Sequence, residues 1–144
     1  MTVANILRSK GSVTVETIAP DASIQDASKR LADKKFGSLV VSRDGKSAEG
    51  ILSERDIVRE VGRRGPAVLS EPVESIMTRH IVTCVRTDKA VAVLGTMTEG
   101  RFRHMPVVED AAMVGIITLG DVVKYRLEEL AMEKDALEGM IMGF

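Results

Sequence analysis

The 144-residue chain is 44% apolar, the composition of a globular protein of one ordinary domain or of two small modules sharing a core. Its 20 basic and 21 acidic residues leave a net charge of −1, with 3% aromatics and no tryptophan, which excludes the electropositive footprint and base-stacking platforms of nucleic-acid binding; any anion must be captured locally. One cysteine, Cys84, excludes an intramolecular disulfide and a cysteine-rich zinc site and fits a reducing cytoplasm, and with strand-sized apolar runs and no signal-peptide core at Met1 to Lys10 no membrane segment is expected.

Val3, Ile6 and Leu7 form a short helical stripe ended by Gly11, and Val73, Ile76 and Met77 repeat that spacing 70 residues later. Val13 to Ile18 alternates and is β-branched, a strand turned by Pro20 and Asp21. Ser23 caps a helix with Asp26 as its capping-box partner, burying Ile24, Ala27 and Leu31 and leaving Lys29, Arg30, Lys34 and Lys35 in water until Phe36-Gly37 ends it. Ser38 to Ser42 is a strand, Asp44-Gly45 a hairpin turn, and Glu49 to Leu52 the returning strand. A helix from Ser53 carries Ile57, Val58 and Val61 inward and stops at Gly62 before Arg63-Arg64-Gly65-Pro66.

After a linker from Pro66 to Pro72 the order returns, with Ile81 to Val85, Met105 to Val108 and Met113 to Ile117 as strands and Ala90 to Glu99 as a helix. Thr17 falls on Thr83, Leu31 on Met97 and Phe36 on Phe102 at an offset of 66. The last helix starts at Thr118 and runs toward Leu137, and the apolar tail from Met140 to Phe144 suits docking against a second subunit. The repeat divides the chain into residues 1–72, with lead-in helix and linker, and residues 73–144, with an extended final helix. The expected fold is α+β: two units of strand, helix, strand, strand, helix, packed sheet to sheet about a pseudo-twofold axis that leaves two clefts.

The densest chemistry is a heptad that occurs twice, Gly50-Ile51-Leu52-Ser53-Glu54-Arg55-Asp56 and, 65 residues on, Gly115-Ile116-Ile117-Thr118-Leu119-Gly120-Asp121. Ser53 with Asp56 and Thr118 with Asp121 have capping-box spacing, and capping alone would account for them. A strand entering a helix N-terminus also presents free N–H groups and the positive dipole end, and an aspartate there can accept from vicinal hydroxyls, as acidic residues do with ribose in other nucleotide folds.

The two Gly-h-h-Ser/Thr-x-x-Asp motifs, Ile76-Met77-Thr78 at the entry to the second unit, and Phe102-Arg103-His104-Met105-Pro106-Val107-Val108 give the chain its kinship. From Val3 to about Tyr125 it resembles a tandem pair of cystathionine-β-synthase-type (CBS) domains, a Bateman module. The resemblance implies clefts that bind an adenosine compound, AMP, ADP, ATP or NAD. Asp56 and Asp121 would take ribose hydroxyls, with Ser53 and Thr118 near ribose or phosphate. Arg103 and His104 match phosphate-reaching positions, Met105 and Pro106 match positions lining adenine, and Thr17, Ala19, Ser38 and Thr83 fall on the strands that flank the base. Gly37-Ser38 stand where Arg103-His104 stand in the second unit, and Arg55 is replaced by Gly120, so the two clefts should differ, with Arg55 supplying phosphate charge from the other side.

Other residues have plainer readings: His80 as a surface residue, Cys84 and the methionines at 97, 105 and 113 as packing, and Met132, Met140 and Met142 at a helix or dimer contact. No nucleophile and base at recognisable spacing, phosphate loop or dinucleotide fingerprint is present, which argues against an enzyme. The expected function is a non-catalytic sensor, a homodimer transmitting ligand occupancy to an effector protein. The alternative is a constitutive homodimeric scaffold without a regulatory ligand.

Overall fold

A computed structural model describes residues 1–11, 15–34 and 37–143. Val13 and Thr14, the expected start of the first strand, together with Lys35, Phe36 and Phe144, lie outside the described residues. The chain is a mixed α+β protein with the order α1 (Val3–Lys10), β1 (Thr17–Ile18), α2 (Ile24–Lys34), β2 (Ser38–Val41), β3 (Gly50–Ser53), α3 (Glu54–Arg64), α4 (Ala90–Gly100), β4 (His104–Glu109), β5 (Ala112–Thr118) and α5 (Leu119–Met142).

Two compact units form. One contains β1, α2, β2, β3, α3, the segment through Val82 and the tip of the second hairpin, Asp110–Val114. Its sheet runs β1-β2-β3, parallel between the first two strands and antiparallel in the hairpin. Ile18, Ile24, Leu31, Leu39, Val41 and Leu52 fill the core, with Val73, Ile76 and Met77 beside them; burying each large aliphatic side chain contributes about 1.5–3 kcal/mol. The expected α2 cap is present, with the Asp26 N–H donating to Ser23 Oγ at 3.0 Å.

The other unit contains α1, α4, β4, the rest of β5 and α5. Its buried apolar residues include Val3, Ile6, Val93, Met97, Met105, Val107, Ile117 and Val122. Helix α1 is thus seated among elements of the second repeat. The Val3 and Ala4 N–H groups donate to Asp88 O at 2.8 Å and Arg86 O at 3.0 Å, and the Ala90 N–H donates to Met1 O at 3.0 Å.

Four sequence expectations are corrected. Ile81 to Val85 is not a strand: only Cys84 pairs, as a parallel bridge to Val107, the counterpart of the Ile18–Val41 pair in β1 and β2. Proline explains the shortening. In the first repeat the Val40 N–H donates to Glu16 O, but the matching residue is Pro106, which has no N–H to give.

Val58 does not face inward and is 72% exposed, whereas Ile57 and Val61 pack on the core. At 100° per residue Val58 is rotated off the stripe that Ile57 and Val61 share. Helix α3 continues past Gly62 to Arg64 because the left-handed residue that ends it is Gly65, at φ 81°. The cluster Val73, Ile76 and Met77 is carried by a 3₁₀ turn, Val73–Ser75, rather than an α-helix. Helix α5 starts at the Thr118 cap as expected and continues through Gly139 to Met142, ending at Gly143 with φ 76°.

Candidate functional site

Both heptads place a glycine on a strand, a hydroxyl residue at the strand end and an aspartate in the first helical turn. The glycines are required by close approach. A Cβ on Gly50 would meet Met77 Sδ at 2.4 Å, and one on Gly115 would meet Leu7 Cδ2 at 2.7 Å. Leu7 and Met77 hold the same place in the two lead-in clusters. The lead-in of the first repeat therefore covers the second motif, and that of the second repeat covers the first.

Each motif then closes a reciprocal cap, as expected. The Ser53 N–H donates to Asp56 Oδ2 at 2.9 Å and the Asp56 N–H to Ser53 Oγ at 3.3 Å. In the second copy the Thr118 N–H donates to Asp121 Oδ2 at 2.9 Å and the Asp121 N–H to Thr118 Oγ1 at 3.1 Å. A further matched pair ties the preceding strands to the helix starts: the Glu54 N–H donates to Gly37 O at 3.2 Å and the Leu119 N–H to Arg103 O at 2.8 Å. Gly37-Ser38 and Arg103-His104 are thereby equivalent in space as well as in sequence, each beside a helix N-terminus with its positive dipole end.

Beyond this shared frame the motifs diverge. Asp56 has a side chain 9% exposed and uses both oxygens: Oδ1 accepts from Arg59 Nη2 at 3.0 Å, and Oδ2 also accepts from the Ser53 hydroxyl at 3.0 Å. Asp121 is 24% exposed, and its cation comes from α1, with Lys10 Nζ 2.7 Å from Oδ2. Among the described residues Asp121 Oδ1 accepts no hydrogen bond. Burial pushes the Asp121 carboxyl upward, but the hydrogen bond from Lys10, those from Thr118 and the charge of Lys10 together hold it below its ordinary value of 3.8.

The other anticipated residues differ in exposure and pairing. Arg103 is exposed and, among the described residues, makes no ion pair. His104 is half-buried, and burial, then Arg103 and Lys10, lower its pKa from 6.5 against the opposing pull of Asp121, so the ring is neutral at pH 7. Met105, 1% exposed, and Pro106 are both buried on β4. At the first motif, Ser38 pairs in register with Ser53, and its buried Oγ has no partner among the described residues, an uncompensated hydroxyl of the kind that costs about 1–3 kcal/mol. Thr17 lies on β1, while Ala19, Arg55 and Thr83 are exposed and Arg55 makes no ion pair among the described residues.

Sequence reasoning missed Lys10 and Arg59. Arg59 carried a local signal, an acid and a base three residues apart on one helix; Lys10 carried none, since 111 residues separate it from Asp121. The second motif combines a partly exposed carboxylate, one oxygen of which accepts no hydrogen bond among the described residues, a hydroxyl cap, a neutral imidazole and an exposed arginine whose carbonyl receives the Leu119 N–H. Such a set suits a ligand with hydroxyls at one end and negative charge at the other.

Compared with known families, the chain matches the CBS domain twice, over residues 5–63 and 73–128. It is 31% identical over 149 residues to the CBS domain-containing protein CBSX3, mitochondrial, of Arabidopsis thaliana, covering 99% of this chain and 72% of that protein. The crystal structure of the CBS-domain-containing protein ATU1752 from Agrobacterium tumefaciens superposes with a TM-score of 0.82 at 41% identity, covering 87% of this chain and 92% of that one. The CBS domain protein PAE2072 from Pyrobaculum aerophilum, solved complexed with AMP, gives a TM-score of 0.78 at 26% identity over 92% of this chain and 99% of that one.

Proposed function

Because this chain belongs to the CBS domain family and carries two copies of that domain in tandem, we propose that it is a regulatory module that binds an adenine nucleotide, AMP, ADP, ATP or NAD, and catalyses no reaction itself. The observation that carries this reading is the second motif, where among the described residues Asp121 keeps one carboxylate oxygen without a hydrogen bond and the nearby Arg103 makes no ion pair, beside the neutral His104. Ribose hydroxyls would donate to Asp121 and the phosphate would face Arg103 and the N-terminus of α5. The AMP-bound neighbour supports the ligand class. At the first motif, where Asp56 is fully engaged, Ser38, Ser53 and Arg55 would hold a ligand more weakly, with Thr17 and Ala19 toward its base; Thr83, Met105 and Pro106 would serve the base at the second motif. A buried lone cysteine fits residence in the cytoplasm, and no helix among the described residues is long and apolar enough to cross a membrane.

Titration calorimetry with AMP, ADP, ATP, NAD and S-adenosylmethionine tests the reading. Binding of at least one is expected, and silence at millimolar ligand would leave the scaffold alternative. Arg103→Ala should weaken phosphorylated ligands by about 1.5–3 kcal/mol, the usual range for a hydrogen bond to a charged group, and adenosine much less. Equal losses would remove the phosphate role.

Signalling requires a ligand that binds two states unequally, and helix α5 offers the means of relaying one. Val123, Leu127, Leu130, Leu137 and Ile141 are exposed at four- and three-residue steps that Lys134 completes into a coiled-coil seam. This seam supports a homodimer formed with a second copy, with an effector protein reading its geometry. The double variant Leu130→Glu/Leu137→Glu is expected to run at monomer mass in light scattering while the unaltered protein runs at dimer mass; an unchanged dimer would place the interface elsewhere.

A further inference from the structure

Among the described residues no lead-in cation reaches the first motif, where His80 stands at the position that matches Lys10. There the cation on the motif aspartate is Arg59 of the same helix, and the carbonyl of Ile51 is taken by the Thr78 N–H at 2.9 Å. In the second repeat one ammonium does both jobs: Lys10 Nζ donates to Asp121 Oδ2 at 2.7 Å and to Ile116 O at 3.0 Å. Lys10 closes α1 immediately before Gly11, at φ 78°, and 23% of its side chain remains exposed. Its third N–H has no acceptor among the described residues.

The ammonium occupies the carboxylate that ribose hydroxyls would use. Oδ1 can accept one hydroxyl without disturbance, but a vicinal diol seeking both oxygens competes with Lys10 for Oδ2. A nucleoside that wins this competition leaves a half-buried ammonium unpaired, at an electrostatic cost. A nucleotide supplies a replacement, since its phosphate can take the displaced ammonium beside Arg103.

We propose that Lys10 is a mobile cation of the second ligand site, paired with Asp121 before binding and transferred to the phosphate of a bound nucleotide, so that it selects phosphorylated ligands over nucleosides. This rests on the adenine-nucleotide reading given above. It adds a residue from α1 to a site otherwise built from β4, β5 and α5, and makes the end of α1 the part of the chain that senses ligand charge.

The test is the ratio of adenosine Kd to AMP Kd, measured by calorimetry. In Lys10→Met the ratio should fall at least tenfold, with AMP weakened and adenosine unchanged or tightened. Lys10→Arg, which keeps the charge, should retain most of the discrimination. Folding of the variants is not the only safeguard, because the unaltered protein gives an independent readout: acetic anhydride should modify Lys10 faster with saturating adenosine than with saturating AMP. A ratio unchanged in Lys10→Met, or equal modification rates with the two ligands, overturns the proposal and leaves nucleotide binding standing. If the unaltered protein binds neither adenosine nor AMP the proposal falls, while the adenine-nucleotide reading falls only if ADP, ATP and NAD are silent as well.

Discussion

Replacing Gly50 with alanine is expected to destabilise the protein by about 1–3 kcal/mol, the usual cost of forcing extra volume into a packed interior, and the matching Gly115→Ala is expected to cost less. At Gly50 the added carbon meets Met77 Sδ at 2.4 Å, Met77 Cγ at 2.9 Å and Thr78 O at 3.0 Å. Met77 is 9% exposed within the core cluster, and Thr78 O is fixed by the Ile51 N–H at 3.0 Å. Met77 can turn its side chain only within a packed core, and Thr78 O cannot retreat without loosening the bridge between Ile51 and Thr78. At Gly115 the obstacle is one terminal methyl of the half-buried Leu7, whose other atoms stand 3.5 Å and 3.7 Å away, and a rotamer change relieves most of it. Urea unfolding of the two variants measures the difference. Equal losses would mean that the crowding at Gly50 is relieved as easily as that at Gly115, against the fixed position of Thr78.

Asp121→Ala should weaken AMP binding by about 1.5–3 kcal/mol, the range for a hydrogen bond involving a charged group, whereas Asp56→Ala should act chiefly on stability. The contrast follows from the oxygens: among the described residues Asp121 has one without a hydrogen bond, and Asp56 has spent both on Ser53 and Arg59. Loss of the Asp56 cap alone should cost about 0.5–2 kcal/mol. Calorimetry and thermal unfolding on the same two variants check both halves, and an Asp121 variant with full AMP affinity and intact fold would end the ribose assignment. The Lys10–Asp121 pair also has a pH signature. Because the folded carboxyl titrates below its ordinary value of 3.8, the unfolded chain takes up the proton first as pH falls. The pair's stabilisation is therefore present above that value and lost as pH drops through the folded one.

Much of the site was legible because its logic is local. A hydroxyl and an acid three residues apart at a helix start must cap if a helix forms at all, and both did. The matched exchange of Arg103-His104 for Gly37-Ser38 was likewise visible as an offset, and the hydrogen bonds from Leu119 and Glu54 bear out the alignment. Pro106 carried the information that the second sheet would lose a rung, but only a reader who fixed the register to Val40 could extract it. Val58 misled because an apolar residue next to a buried one reads as core when the helical angle is ignored. What the sequence could not convey were contacts between distant segments: Leu7 over Gly115, Met77 over Gly50, and Lys10 on Asp121. The lead-in clusters recur visibly, yet nothing in their spacing says which motif each will cover.

That crossing has a consequence for how the chain comes to be made. Helix α1 is synthesised before the segments it seats against, and Val3 and Ile6, each 0% exposed in the finished protein, have no partners until α4, β4, β5 and α5 have followed. At about 5–20 residues per second, a nascent chain carries this apolar stripe uncovered for several seconds after the strands and helices of the first repeat have emerged. Helix α1 must wait for segments made long after it, and during that interval it is a segment a chaperone would meet.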